Sequence, residues 1–223
     1  GSTGTHAQVW RIADAGAAHV LMALDLPDGM GGFPGNRRMT ARFDLRPPAT
    51  LRLTLEATTD APTLMNLANH SYWNLEGTAT WAGHTLRIAA DRWLPTRPDG
   101  TPPGHILPVG GTPMDFRRTR RLIPGAPPLD HCFCLGDTSA PRREVAWLTG
   151  AGGTSMALAT TAPGLQVYDG RAAIRPGGVA HEGLAFEPQF WPDAPANPAF
   201  PSIELQPEAA WCQITEWRFS QNP

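Results

Sequence analysis

The chain has 223 residues, 41% of them hydrophobic and 17% charged, with a formal net charge of -2. That is enough apolar material for one large core and too much for a disordered chain. The weak negative balance leaves no electrostatic footprint for nucleic acid or an anionic membrane surface, and no apolar run approaches the roughly 20 residues that a spanning helix needs.

The chain opens Gly1-Ser2-Thr3-Gly4-Thr5, without a Met, a basic region or an apolar stretch of the leader type. It reads as an internal starting point, so the lack of a leader here says little about the gene product. The first clear pattern has period two. Met39, Ala41, Phe43 and Leu45 alternate with polar neighbours, Leu51, Leu53, Leu55 and Ala57 do the same, and Arg46-Pro47-Pro48-Ala49-Thr50 lies between them. This predicts an antiparallel hairpin with one buried face.

Further short runs follow at 85–89, 132–135, 144–148, 155–159, 165–168, 184–187 and 211–219, and none keeps a helical stripe over a dozen residues. Gly (23) and Pro (24) punctuate the gaps, well above their usual combined share of about 12%. Many short strands joined by Gly- and Pro-rich turns predict an all-β sandwich or barrel. No linker divides the chain, so the expected domain is 1–223. Cys132 and Cys134 would lie about 6.6 Å apart on a strand, at the limit for a disulfide. With Cys212 remote and no clear His pair, the three cysteines read as reduced structural thiols rather than zinc ligands, which points to a cytoplasmic setting.

Four segments are too polar and aromatic for ordinary turns. They are Asn66-Leu67-Ala68-Asn69-His70-Ser71-Tyr72-Trp73-Asn74-Leu75, then Asp130-His131-Cys132-Phe133, then Pro163-Gly164-Leu165-Gln166-Val167-Tyr168, and finally Glu187-Pro188-Gln189 running into Trp191-Pro192-Asp193 and on to Pro201. Each alone has a plain structural explanation: a satisfied histidine, a solvated glutamate, a turn-capping Asp130 or a Gln166 bonded to nearby backbone.

Taken together and in order, the four resemble the motif set of the aldose 1-epimerase (galactose mutarotase) family. The segment 66–75 resembles its N-x-x-x-H-x-Y-[FW]-N-L element, 130–133 its D-H-x-F element, 163–168 its P-G-x-Q-x-Y element, and 187–189 its E-x-Q element with the P-D-A tail. Gly31-Gly32-Phe33-Pro34-Gly35 resembles the family's aromatic-Pro-Gly stretch. The resemblance runs from about Trp10 to Phe219.

It implies a galactose mutarotase-like β-sandwich (supersandwich) and interconversion of the α and β anomers of a free aldose such as glucose or galactose. It implies Glu187 as base, His70 as acid, and Asp130 and Gln166 as hydrogen-bonding partners of sugar hydroxyls. Tyr72, Trp73, Phe133 and Trp191 are candidates for apolar contact with the sugar ring, with a core role equally open. It implies no cofactor, no metal, no nucleic acid and no membrane partner.

Departures from the pattern are specific. Cys132 stands where the family has Asn, and Pro188 where it has Thr. Asn36-Arg37 mimics a substrate-binding Asn-Arg pair but sits inside the aromatic-Pro-Gly stretch, so that role is not transferred. Aligned on Trp10, the family's His-Gly element falls near Ser2, and His6 is too close to Trp10 to replace it. The expectation is therefore a sandwich lacking its N-terminal strands in this chain, completed by its own N-terminal fragment or a second copy, and with little activity when purified alone.

Two rival readings differ in class. A glycoside hydrolase wants two carboxyl groups flanking the scissile bond, whereas the motifs here pair a carboxylate with a histidine. A non-catalytic sugar-binding or sensor protein of the same fold is the alternative, separated by polarimetry of anomer interconversion. A relative acting on hexose 6-phosphates would want a basic cluster near the four segments, and the sequence places none there.

Overall fold

The structure, a computed structural model, describes residues 4–221. In chain order its strands are β1 (Arg11–Gly16), β2 (His19–Leu26), β3 (Arg37–Arg46), β4 (Thr50–Thr59), β5 (Thr63–Leu64), β6 (Tyr72–Trp73), β7 (Thr85–Ile88), β8 (Arg92–Leu94) and β9 (Leu107–Pro108). They continue as β10 (Arg120–Arg121), β11 (Asp130–Cys134), β12 (Arg143–Thr149), β13 (Thr154–Thr160), β14 (Gly164–Tyr168), β15 (Leu184–Gln189), β16 (Glu204–Leu205) and β17 (Trp211–Gln221). Among the described residues the helical pieces are three single 3₁₀ turns, and no helix is long and apolar enough to cross a membrane.

Two antiparallel sheets form the layers. The larger runs β1-β2-β3-β4-β17-β13-β12-β7-β10, and the smaller runs β6-β15-β14-β11-β8-β9. Alternation decides which side chains meet between them. Leu53, Leu86, Ile88, Leu148, Leu158 and Trp217 from the large sheet share one buried cluster with Phe133, Leu165, Val167, Leu184 and Phe186 from the small one. Burying such a side chain contributes about 1.5–3 kcal/mol, so this shared layer is the main adhesive of the sandwich.

The expected hairpin is present as β3 and β4, with Met39 opposite Ala57, Ala41 opposite Leu55 and Phe43 opposite Leu53. One position departs from the alternation. Leu45 is 63% exposed, because it lies at the hairpin tip beside the 47–49 turn. Two strands that the pattern did not predict precede the hairpin. All six residues of β1 are exposed, so it carries no alternation to read, and β2 is apolar in successive positions from Val20 to Leu24. Pairing with β3 over eight rungs, rather than an amphipathic signature, defines β2.

Candidate active site

The outer face of the small sheet, opposite the shared core, carries the polar groups. Two alternate rungs cross it, and the Val167–Phe186 rung between them faces the core. In one, Cys132 on β11 is opposite Gln166 on β14, which is opposite Glu187 on β15. In the other, Asp130 is opposite Tyr168, which is opposite Ala185, which is opposite Tyr72 on β6. Strand alternation thus turns Asp130, Gln166, Glu187, Tyr168 and Tyr72 to one side, although they are spread over more than a hundred residues of chain. Gln166 Nε2 donates to Asp130 Oδ1 at 2.8 Å. Gln166 Oε1 is buried and has no partner among the described residues.

His70 arrives from the loop before β6. Its Nε2 lies 3.4 Å from Glu187 Oε1, with the His70 side chain half exposed and the Glu187 side chain only 13% exposed. The imidazole leans on Tyr72 at 4.9 Å between ring centroids and meets Tyr168 edge-on at 6.4 Å.

The amides around His70 hold backbone. The Asn66 side chain donates to Phe190 O at 3.2 Å and accepts from Phe190 N at 2.9 Å. In this way it pairs with the chain just past β15 as another strand residue would. Asn69 Oδ1 accepts from Ser71 N at 3.2 Å, an Asx turn centred on His70. Asn74 Nδ2 donates to Glu182 O at 3.0 Å, and buried His84 accepts from Leu75 N at 3.0 Å.

Burial pushes the Glu187 carboxyl above the ordinary glutamate range. The nearby His70 charge opposes the shift and Asp130 adds to it. The Tyr72 phenol is also raised, first by burial and then by Tyr168, Glu187 and Asp130. His131, half of the D-H pair, lies edge-on to Trp93 at 5.0 Å, and burial lowers its pKa. It is a neutral structural histidine at neutral pH.

The four aromatic candidates separate cleanly. Tyr72 lines the polar face. Trp73 packs into the core against Trp217 at 5.6 Å, and Phe133 meets Phe116 there at 5.9 Å. Trp191 is buried in a small cluster with Cys132, Cys134 and Phe200, and its Nε1 donates to Pro163 O at 3.0 Å. Cys132 therefore lies on the same face of the sheet as Gln166 and Glu187, at the end that Trp191 covers, and all three cysteines are free. A Cβ on Gly164 would lie 2.9 Å from both Cys132 Sγ and Trp191 Cδ1, which is the physical reason for glycine in the P-G-x-Q-x-Y segment.

Arg37 is buried, and its guanidinium donates to the carbonyls of Pro27, Met30 and Gly35. Asn36 Nδ2 donates to Asp60 Oδ2 at 2.6 Å. This pair shapes the loop after β2 and stands apart from the polar face. Ser2 lies outside the described residues. His6 lines an apolar groove of about 280 Å³ with Trp10, Met22, Phe43 and Leu55, and that groove ends at Asn69 and His70. Among the described residues no group of three or more His, Cys, Asp or Glu is placed to hold a metal ion.

Sequence reasoning missed the turn after β14. Asp169 is fully buried. Its carboxylate accepts from Leu129 N at 3.0 Å, Arg171 N at 3.1 Å and Arg171 Nη1 at 2.9 Å. Its carbonyl accepts from Trp81 Nε1 at 2.9 Å. The available signal was an acid and a base flanking Gly170 directly after the Tyr168 motif.

Comparison with known proteins agrees with this architecture. The profile of the family described as Aldose 1-epimerase matches residues 2–217. The chain is 32% identical over 244 residues to the aldose 1-epimerase of Escherichia coli K12, covering 98% of this chain and 69% of that protein. It is 34% identical to rat galactose mutarotase, covering 87% of this chain and 60% of the relative. Among solved structures, the GalM/aldose epimerase homologue from C. elegans superposes with a TM-score of 0.92 at 26% identity, covering 100% of this chain and 72% of that one. Galactose 1-epimerase from Lactobacillus acidophilus gives 0.85 at 28% identity, covering 99% and 69%. With a galactose mutarotase-like sandwich, the ordered motifs and a profile match over nearly its whole length, the chain belongs to the aldose 1-epimerase family of isomerases.

Proposed function

We propose that the polar face interconverts the α and β anomers of a free aldose such as glucose or galactose. The observation that carries this reading is the His70–Glu187 contact at 3.4 Å, set beside hydrogen-bonding groups on one sheet face. Ring opening needs a base at the C1 hydroxyl and an acid at the ring oxygen. Glu187 takes the hydroxyl proton, His70 gives a proton to the ring oxygen, and the C1–O5 bond breaks to leave the open aldehyde. Rotation about C1–C2 presents the other carbonyl face. The proton transfers then run in reverse and close the ring as the other anomer.

The pair suits this exchange. A partly buried carboxylate whose proton affinity is raised is a stronger base than an exposed one, and a protonated imidazole beside it keeps it ionised. Asp130 and Gln166 exchange hydrogen bonds with the remaining sugar hydroxyls, and Gln166 Oε1 is an acceptor without a partner among the described residues. Tyr72 offers its ring to an apolar sugar face. The groove ending at His70 supports completion of the site by a further segment of the protein or a second copy. The three free cysteines support a reducing, cytoplasmic setting.

The test is polarimetry of freshly dissolved α-glucose or α-galactose, with the protein expressed from its full gene. Glu187→Gln keeps the shape and removes the base, and should slow the approach to equilibrium by about 10²-fold or more with sugar binding largely kept. Near-normal turnover in that variant sinks the assignment. Binding without rate enhancement in the unaltered protein would instead establish a sugar sensor.

A further inference from the structure

Beyond the acid–base pair, the turn after β14 brings a cation to the polar face. Arg171 bridges two carboxylates. Its Nη1 is 2.9 Å from Oδ2 of buried Asp169, and its Nη2 is 3.9 Å from Asp130 Oδ2. The guanidinium also lies 5.8 Å from the centre of the Tyr168 ring, whose hydroxyl accepts from Ala172 N at 2.7 Å. Asp130 is therefore approached from both sides, by Gln166 Nε2 on Oδ1 and by Arg171 on Oδ2.

We infer that Arg171 is a positioning residue for sugar recognition, orienting Asp130 and compensating its charge beside Glu187. This rests on the proposed function, because it gives Asp130 a sugar to bind. The turn has backbone anchors besides the Arg171 side chain. Backbone amides of Leu129 and Arg171 hold the Asp169 carboxylate, and Gly170 adopts φ +73 against Gly183 O, where a Cβ would approach to 2.5 Å. The turn thus delivers the guanidinium to Asp130 from a fixed backbone.

The charges facing Glu187 are few. His70 comes from the loop before β6, Tyr72 from β6, Tyr168 from β14, and Asp130 and Cys132 from β11. Of these, Asp130 is the carboxylate that opposes ionisation of Glu187. A cation on the far side of Asp130 weakens that opposition. Without it, Asp130 acts on Glu187 uncompensated and Glu187 holds its proton to higher pH.

The experiment compares Arg171→Met and Arg171→Lys with the unaltered protein, all expressed from the full gene, using polarimetry across pH with glucose and galactose. Arg171→Met should raise KM by about 2- to 5-fold, the range of a partly exposed ion pair, and move the acid limb of kcat/KM to higher pH. Arg171→Lys should return the acid limb toward its original place, because it restores the charge, while recovering KM only in part, because it lacks the planar fork. A merely structural role predicts a lower Tm in Arg171→Met with KM and the acid limb of the folded fraction unmoved, and that result overturns the inference. Glu187→Gln in the same series separates the two levels. If Glu187→Gln keeps its rate, the proposed function falls. If it loses its rate while Arg171→Met matches the unaltered protein, only the role of Arg171 falls.

Discussion

Burial and Asp130 push the Glu187 carboxyl up while His70 holds it down. The acid limb of kcat/KM reports the base of the free enzyme, so it should lie above the ordinary glutamate range. Asp130→Asn removes a charge that raises Glu187, so the limb should move to lower pH even as KM rises. A pH profile of anomer interconversion checks this, and an unmoved or upward-moving limb counts against it. His70→Asn should abolish most of the rate while leaving Tm nearly unchanged, because the imidazole is half exposed and surface substitutions usually shift stability by less than about 0.5 kcal/mol. A drop in Tm with intact specific activity of the folded fraction would make His70 a structural residue. At this scale the sequence nominates Glu187, His70, Asp130 and Gln166 only through ordered motifs, since each residue alone looks ordinary. It assigned no role to the asparagines. Asn66, Asn69 and Asn74 carry the polarity of the His70 segment, and all three hold backbone. Arg171 stayed hidden because its partners are 2 and 41 positions away, and nothing local marks them as neighbours.

Strand β14 shows how one element supports the site along a single face. Its first residue, Gly164, lets Trp191 close over Cys132, and the same strand presents Gln166 and Tyr168 two and four positions later. Gly164→Ala places a methyl within 3.0 Å of Cys132 Sγ, Trp191 Cδ1 and Gln189 O. The first two belong to a buried cluster and the third is backbone, so the conflict cannot be relieved by moving a flexible chain end. Overpacking of this kind costs about 1–3 kcal/mol, and each kcal/mol lowers Tm by about 2–4 °C in a chain of this size. Differential scanning calorimetry should show that fall, with a rise in KM as β14 shifts under Gln166; an unchanged Tm would mean that the cluster is looser than its distances imply. Elements were legible where one face is buried and the other wet, as in β3, β4, β12, β13 and β17. They were illegible where that contrast is missing. Strand β1 is exposed on every residue, and β8 and β9 are too short to show a period: β8 takes its form from pairing with β11, and β9 from pairing with β8.

For the whole molecule, many short strands and frequent Gly and Pro were enough to predict a sandwich, and the shared core of two sheets bears it out. The division into nine and six strands could not be read, because sheet membership depends on which distant strands pair, and β17 inserts between β4 and β13 from the far end of the sequence. The chain spans 69% of the E. coli relative and 60% of the rat one, and the apolar groove beside His70 lies on the large-sheet side of the site.

The Asn66 clamp has a mechanical consequence. Its two hydrogen bonds rivet the loop carrying His70 to the chain just past the strand carrying Glu187, so in the proposed mechanism the two proton carriers are tethered to each other. Warming should then not loosen the catalytic pair ahead of the sandwich, and turnover and ellipticity should collapse over the same few degrees. Asn66→Ala removes the rivet. The two hydrogen bonds are worth about 0.5–1.5 kcal/mol each, too little to unfold the sandwich but enough to let the His70 loop drift. In that variant catalysis should fade while the circular dichroism signal is still native, and a temperature ramp recording both signals would show the two curves part.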